Sequence, residues 1–271
     1  MKLNDKVVII TGASSGIGKS LAFECAKRGA HVVLAARQYV TLCQITEQLQ
    51  QEYKIKALAI QCDVTIEEDC KQLIKQTLTT FGKVDVLINN AGITMRALFK
   101  DTKVDVLKQV MDVNFWGMVN CIKYALPEIT KTSGSIVGVS SIAGYKGLPG
   151  RSGYSASKFA MNGFLDSLRI ENLKTGIHVL TACPGFTASN IRNAALNSDG
   201  KQQGESTLEE QKMMSSDEVA KNIVDAIESR SRTITLTGQG KLTVALSKFI
   251  PAFLDKMVYK HFTKERDPLL R

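Results

Sequence analysis

Short apolar runs alternate with amphipathic helical stretches along almost the whole chain, and this alternation restricts the fold more than any single residue does. Val7-Val8-Ile9-Ile10 is an apolar run that ends at Thr11-Gly12, as expected of a strand buried on both faces. Residues 16–29 then place Ile17, Leu21, Ala22 and Cys25 on one helical face, with Gly29 as the stop. The same unit recurs. Strands are predicted at 32–36, 57–60, 84–88, 135–139, 178–182 and 233–236, and helices over about 38–53, 66–81, 103–130, 152–173 and 216–229. Strict alternation of this kind predicts an α/β fold: a Rossmann-type, doubly wound parallel sheet of about seven strands in a single domain. In such sheets ligands bind beyond the carboxyl ends of the strands.

At 271 residues the chain is long enough to bury roughly three quarters of its unfolded surface, so it needs neither disulfides nor metal to fold. Its six cysteines include no C-x-x-C pair and no histidine stands at zinc-finger spacing. We therefore expect no metal site, a reducing compartment and a cytoplasmic protein. Met1-Lys2-Leu3-Asn4-Asp5-Lys6 leads straight into the first strand, which leaves no room for a signal peptide. No run of eighteen apolar residues is present to cross a membrane. The net charge of +9 is spread along the chain and not interleaved with aromatics, which argues against nucleic-acid binding. It suits a site for phosphate groups.

The first strand-to-helix turn carries that site. Gly12, Gly16 and Gly18, spaced G-x-x-x-G-x-G with Ser14, Ser15 and Ile17 between them, let backbone N–H groups approach a pyrophosphate at a helix N-terminus. The end of the second strand selects the nucleotide. A carboxylate there would hold a ribose 2′-hydroxyl. No acidic residue occurs between Glu24 and Glu47, and Arg37 follows the strand instead. A guanidinium grips a 2′-phosphate, so the expected cofactor is NADP(H), with Ser14 or Lys19 assisting.

Tyr154 and Lys158 stand one helical turn apart, on one face. A free phenol titrates near ~10. A neighbouring ammonium favours the tyrosinate and brings the phenol toward neutral pH. With Ser141 upstream, this equips the chain to interconvert an alcohol and a carbonyl.

Taken together, the glycine turn at 11–18, Asn89-Asn90-Ala91-Gly92, Asn114, Ser141, Tyr154-x-x-x-Lys158 and Pro184-Gly185 resemble the short-chain dehydrogenase/reductase family over residues 5 to about 238. The resemblance implies a set of roles. Tyr154 is the general acid toward the carbonyl oxygen, and Ser141 polarises that carbonyl. Family spacing selects Ser141 over the adjacent Ser140. Lys158 also bonds the nicotinamide ribose, and Asn114 holds a water in a proton relay to the lysine. Asp63 bonds the adenine, followed by Val64. Asn90, Ala91 and Gly92 admit the adenosine side, Pro184 and Gly185 hold the carboxamide end, and Thr187 bonds the amide or a phosphate.

The expected activity is thus that of an NADP(H)-dependent carbonyl reductase or alcohol dehydrogenase acting on a small-molecule ketone or secondary alcohol. The alternative is a non-catalytic NADP(H)-binding regulator on the same fold, against which the intact Asn114, Ser141, Tyr154 and Lys158 set argues. Residues 1–240 form the catalytic unit, with residues 186–215 as its substrate lid. Residues 241–271 form a basic amphipathic extension. Within it, residues 242–262 have helical periodicity interrupted at Pro251. Two readings stand for that segment: packing over the cleft or a neighbouring subunit, and peripheral contact with an anionic membrane. Surplus apolar residues on the 103–130 and 152–173 helices, among them Trp116 and Phe159, predict a homodimer or homotetramer.

Overall fold

The computed structural model describes residues 1–185, 187, 191, 194–204, 213–263, 269 and 270. Its centre is a parallel seven-stranded sheet in the order β3-β2-β1-β4-β5-β6-β7. The strands are β1 (Val7–Thr11), β2 (His31–Ala36), β3 (Ala57–Gln61), β4 (Val86–Asn89), β5 (Ser135–Val139), β6 (His178–Cys183) and β7 (Thr233–Thr235). The chain runs outward from β1 to β3, returns to β4 beside β1, and runs outward the other way. The crevice of this fold therefore opens above β1 and β4, where the strand order reverses.

Alternate residues of each strand feed opposite cores. Val8 and Ile10 of β1 pack with Leu21 of α1 (Gly16–Lys27), Leu42 of α2 (Tyr39–Tyr53) and Ile223 of α7 (Ser216–Glu228). Val7 and Ile9 pack the other way, with Leu73 of α3 (Glu67–Phe81), Ile122 of α5 (Gly117–Lys131) and Leu165 of α6 (Ser152–Glu171). This two-sided burial explains why the strands are continuously apolar rather than alternating.

The sequence period misses one feature. The expected 103–130 helix is not a single α-helix. It consists of α4 (Val104–Met111), one π-helical turn over Asp112–Trp116, and α5. A π turn inserts a residue without ending the helix, so the helical pattern continues beyond it with only a shift in phase. Here the wider turn contains Asn114, which is 1% exposed.

The tail forms two helices, α8 (Gly238–Phe249) and α9 (Pro251–Phe262). Pro251 is the first residue of α9, where its missing N–H and fixed φ cost nothing. Thr237 caps α8 by accepting from Gly240 N at 3.0 Å. Leu254 and Phe262 are buried, and Asp255 pairs with Lys146. Leu242 and Phe249 of α8 and Phe253 and Met257 of α9 remain exposed. All six cysteines are free thiols, and all but Cys43 are buried. Among the described residues of the expected lid, Leu196 bridges to Met95 and Thr187 to Met214. Residues 186, 188–190, 192, 193 and 205–212 of that lid lie outside the described residues.

Candidate active site

The glycine turn joins β1 to α1. Gly12 and Gly16 have φ of +65° and +52°, in the left-handed region that favours glycine. At Gly18 a Cβ would lie 2.2 Å from the Gly12 carbonyl oxygen, so no side chain fits. The N-terminus of α1 has no side-chain cap at Ser15 and no acidic residue in its first turn. Its N–H groups are thus unopposed by carboxylates, which fits an anion there. Asn90 fastens this turn from β4. Its Nδ2 donates to the carbonyls of Thr11 at 2.9 Å and Gly12 at 3.2 Å. Thr11 Oγ1 in turn accepts from the backbone N–H of Asn90 and Ala91, each at 3.0 Å.

Arg37 is exposed directly beyond β2, with no acidic neighbour in its loop. Ser14 Oγ donates to Gln38 Oε1 at 2.6 Å, which ties the glycine turn to that loop. Beyond β3, Asp63 Oδ1 accepts from Thr65 N at 3.0 Å and Thr65 Oγ1 at 2.8 Å, shaping the entry to α3. Val64 is buried against α5, where Gly117 leaves room for it. Arg37, Asp63 and Val64 therefore sit along successive strand ends leading away from the glycine turn.

The remaining candidates converge on one cleft of about 130 Å³. Its walls include Ile17, Asn90 and Gly92 from the β1 and β4 ends, Ser141 beyond β5, Tyr154 and Lys158 on α6, and Pro184, Gly185 and Thr187 beyond β6. Lys158 is 3% exposed. Its Nζ donates to Val139 O at 2.9 Å and stands 5.7 Å from the centre of the Tyr154 ring. Among the described residues no carboxylate pairs with the buried ammonium, and burial pulls its pKa from 10.5 down to about 8. Ser141 lies half-buried on extended backbone at the start of a 3₁₀ turn, and its Oγ accepts from Ala143 N at 3.1 Å. Ser140 also lines the cleft, but its Oγ donates to the Lys158 carbonyl at 3.5 Å.

Asn114 stands behind this cleft rather than on its wall. Its Oδ1 accepts from Ile93 N at 2.8 Å, and its Nδ2 donates to Ile93 O and Ser157 Oγ, each at 2.9 Å. Ser157 donates onward to Tyr154 O at 2.8 Å. The π turn is thus linked to the segment after β4 and to the helix that carries Tyr154. Thr187 Oγ1 donates to Gly185 O at 3.1 Å, while Gly185 itself packs under Thr237 at the start of α8.

Several lining residues carry no motif and escaped sequence reasoning: Thr94, Leu148, Arg151 and Ile191. None of them left a local signal: Arg151 stands three residues before Tyr154, but at the non-helical N-cap of α6 and not within the helix. Leu148 also borders a wider groove of about 420 Å³, which Pro149, Ser152, Val258 and Tyr259 line under α9.

A family described as short chain dehydrogenase matches residues 6–200. The chain belongs to the short-chain dehydrogenase/reductase family. It is accordingly an oxidoreductase with a Rossmann-type fold. Among curated relatives, an 11-beta-hydroxysteroid dehydrogenase-like 4A of Arabidopsis thaliana is 37% identical over 227 residues, covering 83% of this chain and 74% of the relative. An 11-beta-hydroxysteroid dehydrogenase A of Sesamum indicum is 38% identical over 72% of this chain, but that stretch is only 56% of the relative's length. In solved structures the fold recurs in a short-chain dehydrogenase/reductase of Burkholderia phymatum in complex with NAD, at TM-score 0.83 and 24% identity. That match covers 93% of this chain and 96% of the other. It recurs again in an alcohol dehydrogenase of Thermococcus sibiricus complexed with 5-hydroxy-NADP, at TM-score 0.75 and 24% identity, covering 86% and 96% of the two chains.

Proposed function

We propose that this oxidoreductase uses NADP(H) to interconvert a ketone and a secondary alcohol, with Tyr154 as the proton-transferring group. The observation that carries this reading is the buried Lys158 ammonium, 5.7 Å from the Tyr154 ring centre in a cleft shared with Ser141. A positive charge held this close, with little water to screen it, favours the phenolate side of the tyrosine equilibrium. Tyr154 then gives a proton to the carbonyl oxygen in reduction and receives it in oxidation. Ser141 donates a hydrogen bond to the same oxygen, and Asn114 and Ser157 hold the tyrosine helix in register. The nicotinamide supplies the hydride when bound. The glycine turn and α1 would hold its pyrophosphate, and Pro184, Gly185 and Thr187 its carboxamide end. Asp63 and Val64 would receive the adenine.

Arg37 supports NADP(H) over NAD(H), because it offers charge-assisted hydrogen bonds where a carboxylate would repel a phosphate. The hydroxysteroid dehydrogenase names of the curated relatives and the apolar groove under α9 favour a bulky, largely apolar substrate. Trp116 and Phe159 are each about half exposed, which supports pairing of copies through the α4–α5 and α6 faces. The exposed Phe249, Phe253 and Met257 beside Lys248, Lys256 and Lys260 support peripheral contact with an anionic membrane, on the cytoplasmic side. No helix among the described residues is long and apolar enough to cross one. The primary test is NADPH oxidation against a panel of ring, steroid and aliphatic ketones. Failure of every ketone with both NADPH and NADH would remove the catalytic reading.

A further inference from the structure

A sulfur atom touches the Lys158 ammonium on its inner side. An ammonium has three N–H donors and no acceptor. One donor goes to Val139 O at 2.9 Å and a second to Met161 Sδ at 3.3 Å. That leaves one for the cleft, whose wall Lys158 forms. Met161 follows Lys158 by three residues on α6, which is a same-face spacing, and a helical side chain leans back over the preceding turn. Its thioether therefore reaches Lys158 although the residue is 1% exposed and packs in the core with Leu165 and Ile136. Core filling alone does not require sulfur, because leucine occupies a similar volume. Sulfur differs in being polarisable and a weak acceptor. A carboxylate in its place would clamp the ammonium and favour the charged form strongly. A thioether orients the ammonium and yields easily to stronger acceptors that enter the cleft.

We propose that Met161 is a positioning residue: its thioether accepts a hydrogen bond from the Lys158 ammonium and holds it at the cleft wall beside Tyr154. This inference rests on the reading of Tyr154 and Lys158 as the proton-transferring pair. The contact favours the charged lysine, so without the sulfur the lysine loses its proton at a lower pH. A stronger acceptor at the same position has the opposite effect. The other titratable groups near Lys158 are unchanged by such substitutions. Tyr154 and Arg151 share the cleft wall with it at the start of α6. From β6, Cys183 faces it, and burial pushes that thiol up to about 11, so it stays neutral where Lys158 titrates. Tyr145, which bonds Cys183, is also raised by burial. The segments after β4 and β5 bring Gly92, Ser140 and Ser141 to the cleft, none of which titrates there.

The test uses the full chain, isotope-labelled at lysine Cε, and follows the Lys158 resonance by NMR as pH rises. Loss of one resonance in Lys158→Met identifies it. Met161→Leu keeps the volume and removes the acceptor, and the Lys158 midpoint is expected to fall by about 0.3 to 1 pH unit. Met161→Gln presents an amide oxygen at similar reach, and the midpoint is expected to rise by a comparable amount. The pH at which kcat/KM for NADPH declines, measured with a ketone that the wild type reduces, should move in the same direction in each variant, since that ratio reports the free enzyme. A residue that only filled the core would shift neither profile in opposite directions. If the glutamine variant does not fold, the leucine variant decides alone. A Lys158 midpoint that stays at the wild-type pH in the folded variants overturns the proposal, and so does a shifted midpoint with an unshifted kcat/KM profile. If no ketone turns over with either nicotinamide cofactor, the reductase reading fails, and the NMR titration still decides whether Met161 holds the ammonium.

Discussion

The two ends of the cleft are built from different materials. The end proposed to hold the cofactor is mostly main chain: the glycine turn, the uncapped start of α1, and Asn90 bonded to the Thr11 and Gly12 carbonyls. The end proposed to face the substrate is side chains, with Thr94, Leu148 and Arg151 brought together from the segments after β4 and β5 and from the threshold of α6. A backbone site needs particular φ values and the absence of Cβ atoms, and those requirements leave a pattern of glycines in the sequence. A side-chain site needs only the right groups at the right place in space. Tyr154 and Lys158 stand where the two ends meet, and they share features of both: fixed spacing on one helix, and chemistry carried by side chains.

The sharpest way to break this comparison is at the junction. Tyr154→Phe keeps the ring and removes the acid. We expect turnover with ketones to fall by about 10²–10⁴-fold or more, while NADPH binding stays within a few fold. Single-turnover kinetics and fluorescence titration of NADPH separate the two quantities. Full activity in this variant would take Tyr154 out of the mechanism. An equal loss of binding and turnover would make the residue part of the cofactor end instead.

The same contrast explains what the sequence disclosed. The strand-helix alternation specified the sheet, because β1 and β2 are buried on both faces and leave continuous apolar runs such as Val7–Ile10. The glycine turn, Tyr154 and Lys158 were legible because each has a local spacing with a physical meaning, whereas Pro184-Gly185 was picked out through the family resemblance. The π turn at Asp112–Trp116 was not, since one inserted residue in a helix keeps the chain helical and the composition unchanged. Thr94 and Leu148 were also invisible, because they reach the cleft by tertiary packing and no local pattern marks them. Asn114 was picked out by family spacing, yet its hydrogen bonds to Ile93 and Ser157 are long-range in sequence and follow only from the fold.

Arg37 sharpens the comparison at the far cofactor end, where a single side chain is expected to do what the backbone cannot. Arg37→Ala should lower kcat/KM for NADPH relative to NADH by about 10- to 100-fold, given roughly 1.5–3 kcal/mol for hydrogen bonds to a charged group. Adding Ala36→Asp should move the preference further toward NADH. A ratio that stays fixed in both variants refutes the assignment. A ratio that moves only with Ala36→Asp would mean that exclusion of the phosphate, and not its attraction, sets the choice.

The tail extends the substrate end outward. If α8 and α9 rest on an anionic membrane, Phe249→Asp with Phe253→Asp should reduce sedimentation with phosphatidylserine vesicles by about 10-fold or more, since each buried aromatic contributes about 1.5–3 kcal/mol. Both rings are exposed, so the fold should tolerate the change. Replacing Lys248, Lys256 and Lys260 by Glu should weaken binding further at low salt, because each basic residue near the surface contributes about 1 kcal/mol. Equal and negligible sedimentation of the wild type and both variants would leave α8 and α9 as packing elements of the cleft, with no membrane role.

The smallest expected effect separates the stability of the junction from its chemistry. Lys158 is buried with no carboxylate beside it among the described residues, and burial lowers its pKa from 10.5 in the unfolded chain to about 8 in the folded one. At neutral pH the lysine is protonated in both states, so the native protein bears the cost of burying the ammonium, on the order of 3 kcal/mol. Between pH 8 and 10.5 the native lysine is neutral while the unfolded lysine still holds its proton. The unfolded state then binds more protons, and the stability contributed by this group rises with pH through that window. Lys158→Met removes the charge and abolishes turnover. It also strands the Val139 carbonyl, which offsets roughly 1–3 kcal/mol of the gain. The cofactor-free variant is therefore expected to unfold at the same temperature as the wild type or up to about 5 °C higher at pH 7. The decisive reading is the trend: the melting temperature of the wild type should rise relative to that of Lys158→Met as pH increases from 8 to 10.5. Parallel pH profiles for the two proteins would show that the ammonium is paid for elsewhere in the fold, and that the junction stores no strain for the cofactor to relieve.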